Sequence, residues 1–370
     1  MASYAIPITT ALIVFALIAL VGTLPWTLYQ YRKFGYFSFW RNFILFSFIF
    51  YCLTAFFLVS LPLPEHRNNI EFKNHLSTQL IPFNLLYKFS EVPGFKFSSL
   101  GTYPILFKSF TFLEVFFNLL LLAPLGIYLR FFFKTWKKWS LALLVIFSFT
   151  LFFEVSQLTG LFGFYRYPYR LFDVDDLIIN TLGGMLGFFL APLLLALIPS
   201  RHEINLKDQI YSENKIASYG SQLIEIVVSL FIARRMGTLV SFIGFKGHYE
   251  FILQLLVIFL FIVVMPFITD GNTLGGKLIK IQLILPTNRK FLGLFYRFII
   301  IVFPSVLSQT NNYMNHHLSE NIYLLSLQIF ITLFSLLVVF LYTVLIIKDW
   351  IRKRPEVFLN RYSNIAFKRK

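Results

Sequence analysis

The chain has 370 residues, 57% of them apolar and only 14% charged, with a mean hydropathy of +0.71 and a net charge of +16. A soluble domain carries about 25% charged residues, so too few charges are present to cover a water-facing surface, and an all-α polytopic membrane protein is expected. The single cysteine, Cys52, lies in an apolar run and excludes an intrachain disulfide or a thiolate metal cluster. No metal site and no cofactor are expected. Lys and Arg fall in short clusters between apolar runs, as in loops facing anionic lipid. A basic face interleaved with aromatics is missing outside those runs, so membrane lipid rather than nucleic acid is the expected partner.

A span needs about 20 predominantly apolar residues. The runs predict nine helices that cross a bilayer, at 5–29, 42–62, 110–133, 139–160, 176–199, 218–240, 250–269, 295–310 and 322–347. The first has no Lys or Arg ahead of it and no small-x-small site after it, unlike a cleavable signal. Alternate loops hold 22 and ten Lys and Arg, with Arg297 left inside a span. The 22-residue side is expected to be cytoplasmic, which puts the N-terminus outside and the C-terminus inside. The pair Arg234–Arg235 counts against this orientation. The polar stretch 200–217 suggests two domains, 1–205 and 206–370, the second ending in a basic tail on the inner leaflet.

Charges inside or at the ends of spans are expensive, so their positions carry information. The third span holds Glu114 and Asn118, one helical turn apart, and the fourth holds Glu154 and Gln157 near its end. A loop then supplies Arg170, Asp173, Asp175 and Asp176, with Asn180 one turn into the fifth span. Three of the six aspartates in the chain fall within 173–176. Glu114, Asn118, Glu154, Gln157, Arg170, Asp173, Asp176 and Asn180 are therefore expected at one depth, the outer leaflet. One reading is structural: Asp173 and Asp176 cap the fifth helix, and the amides are interhelical hydrogen bonds. The other is a site that presents carboxylates and Arg170 to an external polar group. Paired carboxylates could also serve acid–base chemistry, and the spacing does not match a Ca²⁺ loop. Gly183 and Gly187 form a small-xxx-small pair for close helix approach. Pro124 and Gly126 predict a kink in the third span.

The order Asn118, Pro124-x-Gly126, Glu154-x-x-Gln157, Arg170-x-Phe172-Asp173-x-x-Asp176-x-x-x-Asn180-x-x-Gly183-Gly184-x-x-Gly187 resembles the VanZ-like family over residues 40–200. Members are similar to a protein associated with low-level resistance to the glycopeptide teicoplanin. The resemblance implies a role in the cell envelope, at the cell membrane, without implying a reaction.

In the second half, Thr273-Leu274-Gly275-Gly276-Lys277 with Arg297 resembles the RDD family of membrane domains over about 215–310, with Glu225 where that family has its first aspartate. No G-x-x-x-x-G-K-[ST] frame surrounds Gly275 and Gly276, so they are not a phosphate loop. Residues 279–285 alternate and predict a short strand or an amphipathic linker, followed by a turn at Pro286-Thr287-Asn288. The expected function is antibiotic resistance of the teicoplanin kind, through engagement of a lipidated glycopeptide or a lipid-linked wall intermediate at the outer leaflet. The alternatives are an intramembrane lipid hydrolase or transferase, and a proton-coupled transporter.

Overall fold

The computed structural model describes residues 2–75, 77–241, 248–286, 289–317 and 322–370. Lys246 and the turn residues Thr287 and Asn288 lie outside the described residues. Eight helices among the described residues are long and apolar enough to cross a membrane: Ile6–Phe34, Phe39–Ser60, Phe110–Phe133, Trp136–Leu158, Val174–Leu195, Tyr249–Ile268, Lys290–Asn311 and Leu325–Ile351. Between 6% and 39% of each apolar window is buried inside the protein. The rest of each window is exposed apolar surface, larger than a soluble monomer tolerates. The chain is a multi-pass membrane protein. The run expected to be the sixth span, 218–240, is a helix at Tyr219–Ser241 but is absent from these eight. Glu225, Arg234 and Arg235 interrupt its apolar character.

The chain divides into two compact units: residues up to Thr23 with Ser38–Leu206, and Leu24–Phe37 with Lys207–Lys370. The first helix, α1 (Ala2–Phe34), contributes its early residues to unit 1 and its last turns to unit 2.

In unit 1, α2 (Phe39–Ser60) starts at Ser38, whose hydroxyl accepts from Arg41 N. The segment 61–109 carries a two-residue strand β1 (Thr78–Gln79) and two short helices, α3 (Asn84–Ser90) and α4 (Tyr103–Lys108). It has its own apolar centre, in which Phe89, Val92, Phe95 and Leu106 are buried. The third expected span is broken into α5 (Phe110–Leu121) and α6 (Ala123–Phe133), with Leu122 leaving helical geometry. The break falls two residues before Pro124 because the proline ring excludes the carbonyl four residues earlier and supplies no N–H. After α7 (Trp139–Leu158) and a tight turn at Gly160–Gly163 (α8), strand β2 (Phe172–Asp173) leads into α9 (Val174–Leu195).

Helix α9 lies directly on the backbone of α5 and α6. A Cβ at Gly183 would fall 1.7 Å from Leu119 O, at Gly187 2.0 Å from Ala123 O, and at Gly126 1.9 Å from Gly184 O. No side chain fits at these positions, so the glycines set the helix spacing. Ala55, Leu122, Leu125, Ala142, Ile146, Phe153 and Phe188 fill the core beside this contact.

In unit 2, α10 (Arg201–Glu213, shared at Leu206) leads to α11 (Tyr219–Ser241). Helix α12 (His248–Phe259) continues through a wider π turn at Leu260–Val264 into α13 (Met265–Ile268), where Pro266 lacks a donor. A short α14 (Leu274–Ile279), capped by Thr273, precedes strand β3 (Ile281–Ile284). The long helices α15 (Lys290–His317) and α16 (Ile322–Ile351) follow. Pro304 frees the carbonyl of Ile300, and Tyr342 OH donates to it at 2.8 Å.

The basic tail is part of unit 2. Its helix α17 (Phe358–Arg361) and strand β4 (Ala366–Arg369) fold into unit 2, and β4 pairs antiparallel with β3, Ile281 opposite Arg369 and Ile284 opposite Ala366. Val357, Phe358, Leu359, Ile365 and Phe367 are buried there. The apolar residues of the tail drive it inward while Lys368 and Lys370 remain outward.

Candidate functional site

The second and third spans are joined by 61–109, and the fourth and fifth by 159–173, so both loops emerge at the same end of unit 1. They are laced together by backbone and amide groups. Asn69 donates to Tyr167 O at 2.7 Å and accepts from Tyr167 N at 2.9 Å. Arg166 N donates to Arg67 O, Phe172 N donates to Ser77 O, and β1 pairs parallel with β2, Gln79 opposite Asp173.

The aspartates stand where α9 begins. Asp173 is the N-cap and accepts from Asp175 N at 2.9 Å. Asp175 and Asp176 lie in the first turn, where the helix dipole favours negative charge. The buried Asp175 carboxylate turns towards the loop and accepts from Phe83 N at 2.5 Å and Leu85 N at 2.7 Å. Those bonds hold Phe83 in the left-handed region, φ 62°, a conformation that costs a non-glycine residue about 1–3 kcal/mol. Asp176 accepts from Asn118 Nδ2 at 2.7 Å, tying α9 to α5. Glu154, buried on α7, accepts from Asp173 N at 3.1 Å, so α7 also holds the start of α9.

The cations stand at the rim. Lys88 pairs with Asp173 at 3.1 Å and keeps 42% of its side chain exposed. Burial pulls the Lys88 pKa down, but the hydrogen bond and charge of Asp173, backed by Glu114 and Asp176, outweigh it and leave the pKa raised. Arg170 is half-buried, donates to Leu61 O, and is lowered by burial against the charges of Tyr169, Glu114, Asp176 and Glu154. Tyr169 donates to Ser60 O at 3.1 Å, and burial pushes its phenol up to about 12.

Of the residues expected from sequence, Glu154, Asp173, Asp176 and Asn118 meet through bonds to one another or to one another's backbone. Arg170 and the exposed Glu114 act on this group by charge. Asn180 lies about one turn along α9, where Nδ2 donates to Thr150 Oγ1 on α7 at 3.3 Å and Oδ1 has no partner. Gln157 turns to α2 and donates to Val59 O at 3.2 Å. All three amides therefore join helices. Lys88 and Asn69 were not singled out from sequence, and Asp175, though named in the loop, was not among the candidate residues. The density of aspartates at 173–176 could have drawn in Asp175, but no spacing marks Lys88 or Asn69, whose partners lie 85 and 98 residues away. Among the described residues no three His, Cys, Asp or Glu side chains are grouped as a metal ion would require.

The carboxylates are thus of two kinds. Glu154, Asp173 and Asp175 are buried and engaged with backbone N–H groups of the chain itself. Asp176 and Glu114, with Lys88 and Arg170, are wholly or partly open.

Residues 48–195 match the VanZ/LLP1 family model. The VanZ-like region begins within α2, ends with α9, and contains every residue of the cluster. Neither the curated proteins nor the solved structures contain a match to the chain.

Proposed function

We propose that the chain is an envelope protein of the cell membrane that contributes to glycopeptide resistance. In this reading the open groups of the VanZ-like region engage the polar part of a lipidated drug or of a lipid-linked wall component, while its tail stays in the bilayer. The observation that carries it is a partly open rim of two cations, Lys88 paired with Asp173 and Arg170 held by Leu61 O within the field of Glu114, Asp176 and Glu154, over carboxylates already oriented by the chain. Such a rim offers charge-assisted hydrogen bonds without reorganising the buried layer beneath it. The family match adds the link to glycopeptide resistance. A hydrolase or transferase has less support, because Glu154 and Asp173 are already committed to backbone donors. The outer leaflet follows from the charge count, and reporter fusions at residues 136 and 170 should give opposite sides. The test of function is drug susceptibility of a deletion strain carrying the wild-type protein. Protection against glycopeptides with a lipid tail, and less against those without, supports the reading; equal protection contradicts it.

We also propose that the RDD resemblance marks the second unit as a separable domain. The expected result is that 1–208 and 209–370, co-expressed as two chains, restore resistance. Failure with both pieces stably inserted would count against it.

A further inference from the structure

Unit 2 contains a cavity of about 770 Å³ among α11, α12 and α15, within the 300–1,000 Å³ typical of ligand sites. Its walls are of two kinds. Arg234, Arg235, Gln254, Ser305 and Ser308 supply polar groups, while Val227, Leu230 and Ile258 supply apolar ones. The polar groups of α15 belong to, or border on, its apolar window Lys290–Asn311, where an unneutralised cation is disfavoured.

The two arginines are both exposed, and among the described residues neither forms an ion pair with a carboxylate. Arg234 spends one donor on Ser305 Oγ. Arg235 lies over the Phe231 ring, 5.3 Å from its centre. Each guanidinium has five N–H donors, so most of the donors of this pair are unused. Glu250 accepts from Gln254 at 3.2 Å but is not part of the cavity wall.

We infer that this cavity binds the phosphate of an anionic membrane lipid, with Arg234 and Arg235 as the recognition pair and the wall of Val227, Leu230 and Ile258 taking the first methylenes of an acyl chain. Charge complementarity in a restricted setting points to this occupant. A guanidinium pair beside hydrocarbon calls for an anion, no carboxylate forms an ion pair with either arginine among the described residues, and guanidinium geometry suits phosphate oxygens. The apolar wall next to the donors favours an amphiphile over a free ion. This site is separate from the cluster in unit 1 and does not depend on the function proposed for it.

The test uses the full chain in nanodiscs and in neutral detergent, probed with phosphatidylglycerol, phosphatidylcholine and inorganic phosphate. Native mass spectrometry should find phosphatidylglycerol retained over phosphatidylcholine. Arg234→Gln with Arg235→Gln should weaken that retention about tenfold. Val227→Trp, which fills the cavity and leaves both arginines in place, should weaken it as well. Lys137→Gln with Lys138→Gln, a change of equal charge elsewhere, should not. Equal retention of the two lipids, or unchanged retention in both cavity variants, would overturn the inference. Binding of inorganic phosphate with no preference for the lipid would overturn the lipid assignment.

Discussion

Glu154 in unit 1 and Glu225 in unit 2 are both buried glutamates on helices, yet their surroundings differ in kind. Glu225 is fully enclosed and pairs with Arg297, itself 1% exposed. Ser229 Oγ donates to the second Glu225 oxygen, Gly275 N donates to Ser229, and Arg297 Nε donates to Asn360, which donates in turn to Gln222. Gln222 also binds Pro355 O and Val357 N, so the network ends by fastening the C-terminal tail. Glu154, by contrast, bonds to a backbone N–H, and the cations that neutralise its neighbourhood stand at a half-exposed rim. A closed network has no capacity left for a ligand, and its role is to specify the fold. A network whose charges reach solvent at one end keeps that capacity.

The sharpest way to break the comparison is at Arg297. Arg297→Met leaves Glu225 buried without its partner, and loss of one member of a buried pair costs about 3–5 kcal/mol. Unit 2 should lose its tail contacts, and the protein should melt far earlier in a detergent thermal-shift assay. An unchanged midpoint would mean that the pair is not the closed centre described here. A smaller effect is expected at Asp175, which serves structure inside the otherwise open cluster. Asp175→Ala removes the acceptor of two loop N–H groups and should cost about 1–3 kcal/mol. Hydrogen exchange should accelerate at Phe83 and Leu85 while α5 and α7 stay protected; no acceleration would detach Asp175 from the loop. Smallest of all should be Lys88→Gln. Lys88 is 42% exposed, so its ion pair is worth below about 1 kcal/mol. Abundance and melting should hardly change, while protection against lipid-tailed glycopeptides should fall. A large loss of stability would move Lys88 to the structural side.

The membrane class was legible because apolar length is a local property, and so were the spans, apart from the charge-bearing helix α11. The glycine contact was legible too: Gly183 and Gly187 meet Leu119 and Ala123 as a small-xxx-small pair would. The cluster could be located from sequence, since crowded carboxylates at the start of an apolar helix are conspicuous. Its internal division could not. Whether Asp175 or Asp176 turns to the loop depends on the 61–109 segment, whose partners lie some 90 residues away and whose apolar residues have no clean period. The tail was expected on the inner leaflet because of its Lys and Arg, and nothing in the sequence marked its pairing with β3. Its fate is decided by Phe358, Ile365 and Phe367 together with a strand 85 residues upstream.

The central claim is that the open end of the unit 1 cluster acts on a ligand rather than only holding helices together. Glu154→Gln tests it most directly, because the amide oxygen can still accept from Asp173 N while the carboxyl group under the rim is replaced. The measurement is resistance to a lipid-tailed glycopeptide in the deletion strain, with membrane abundance measured in the same cells. The account predicts wild-type abundance with protection abolished. Full protection at wild-type abundance, or lost protection that only follows lost protein, would contradict it.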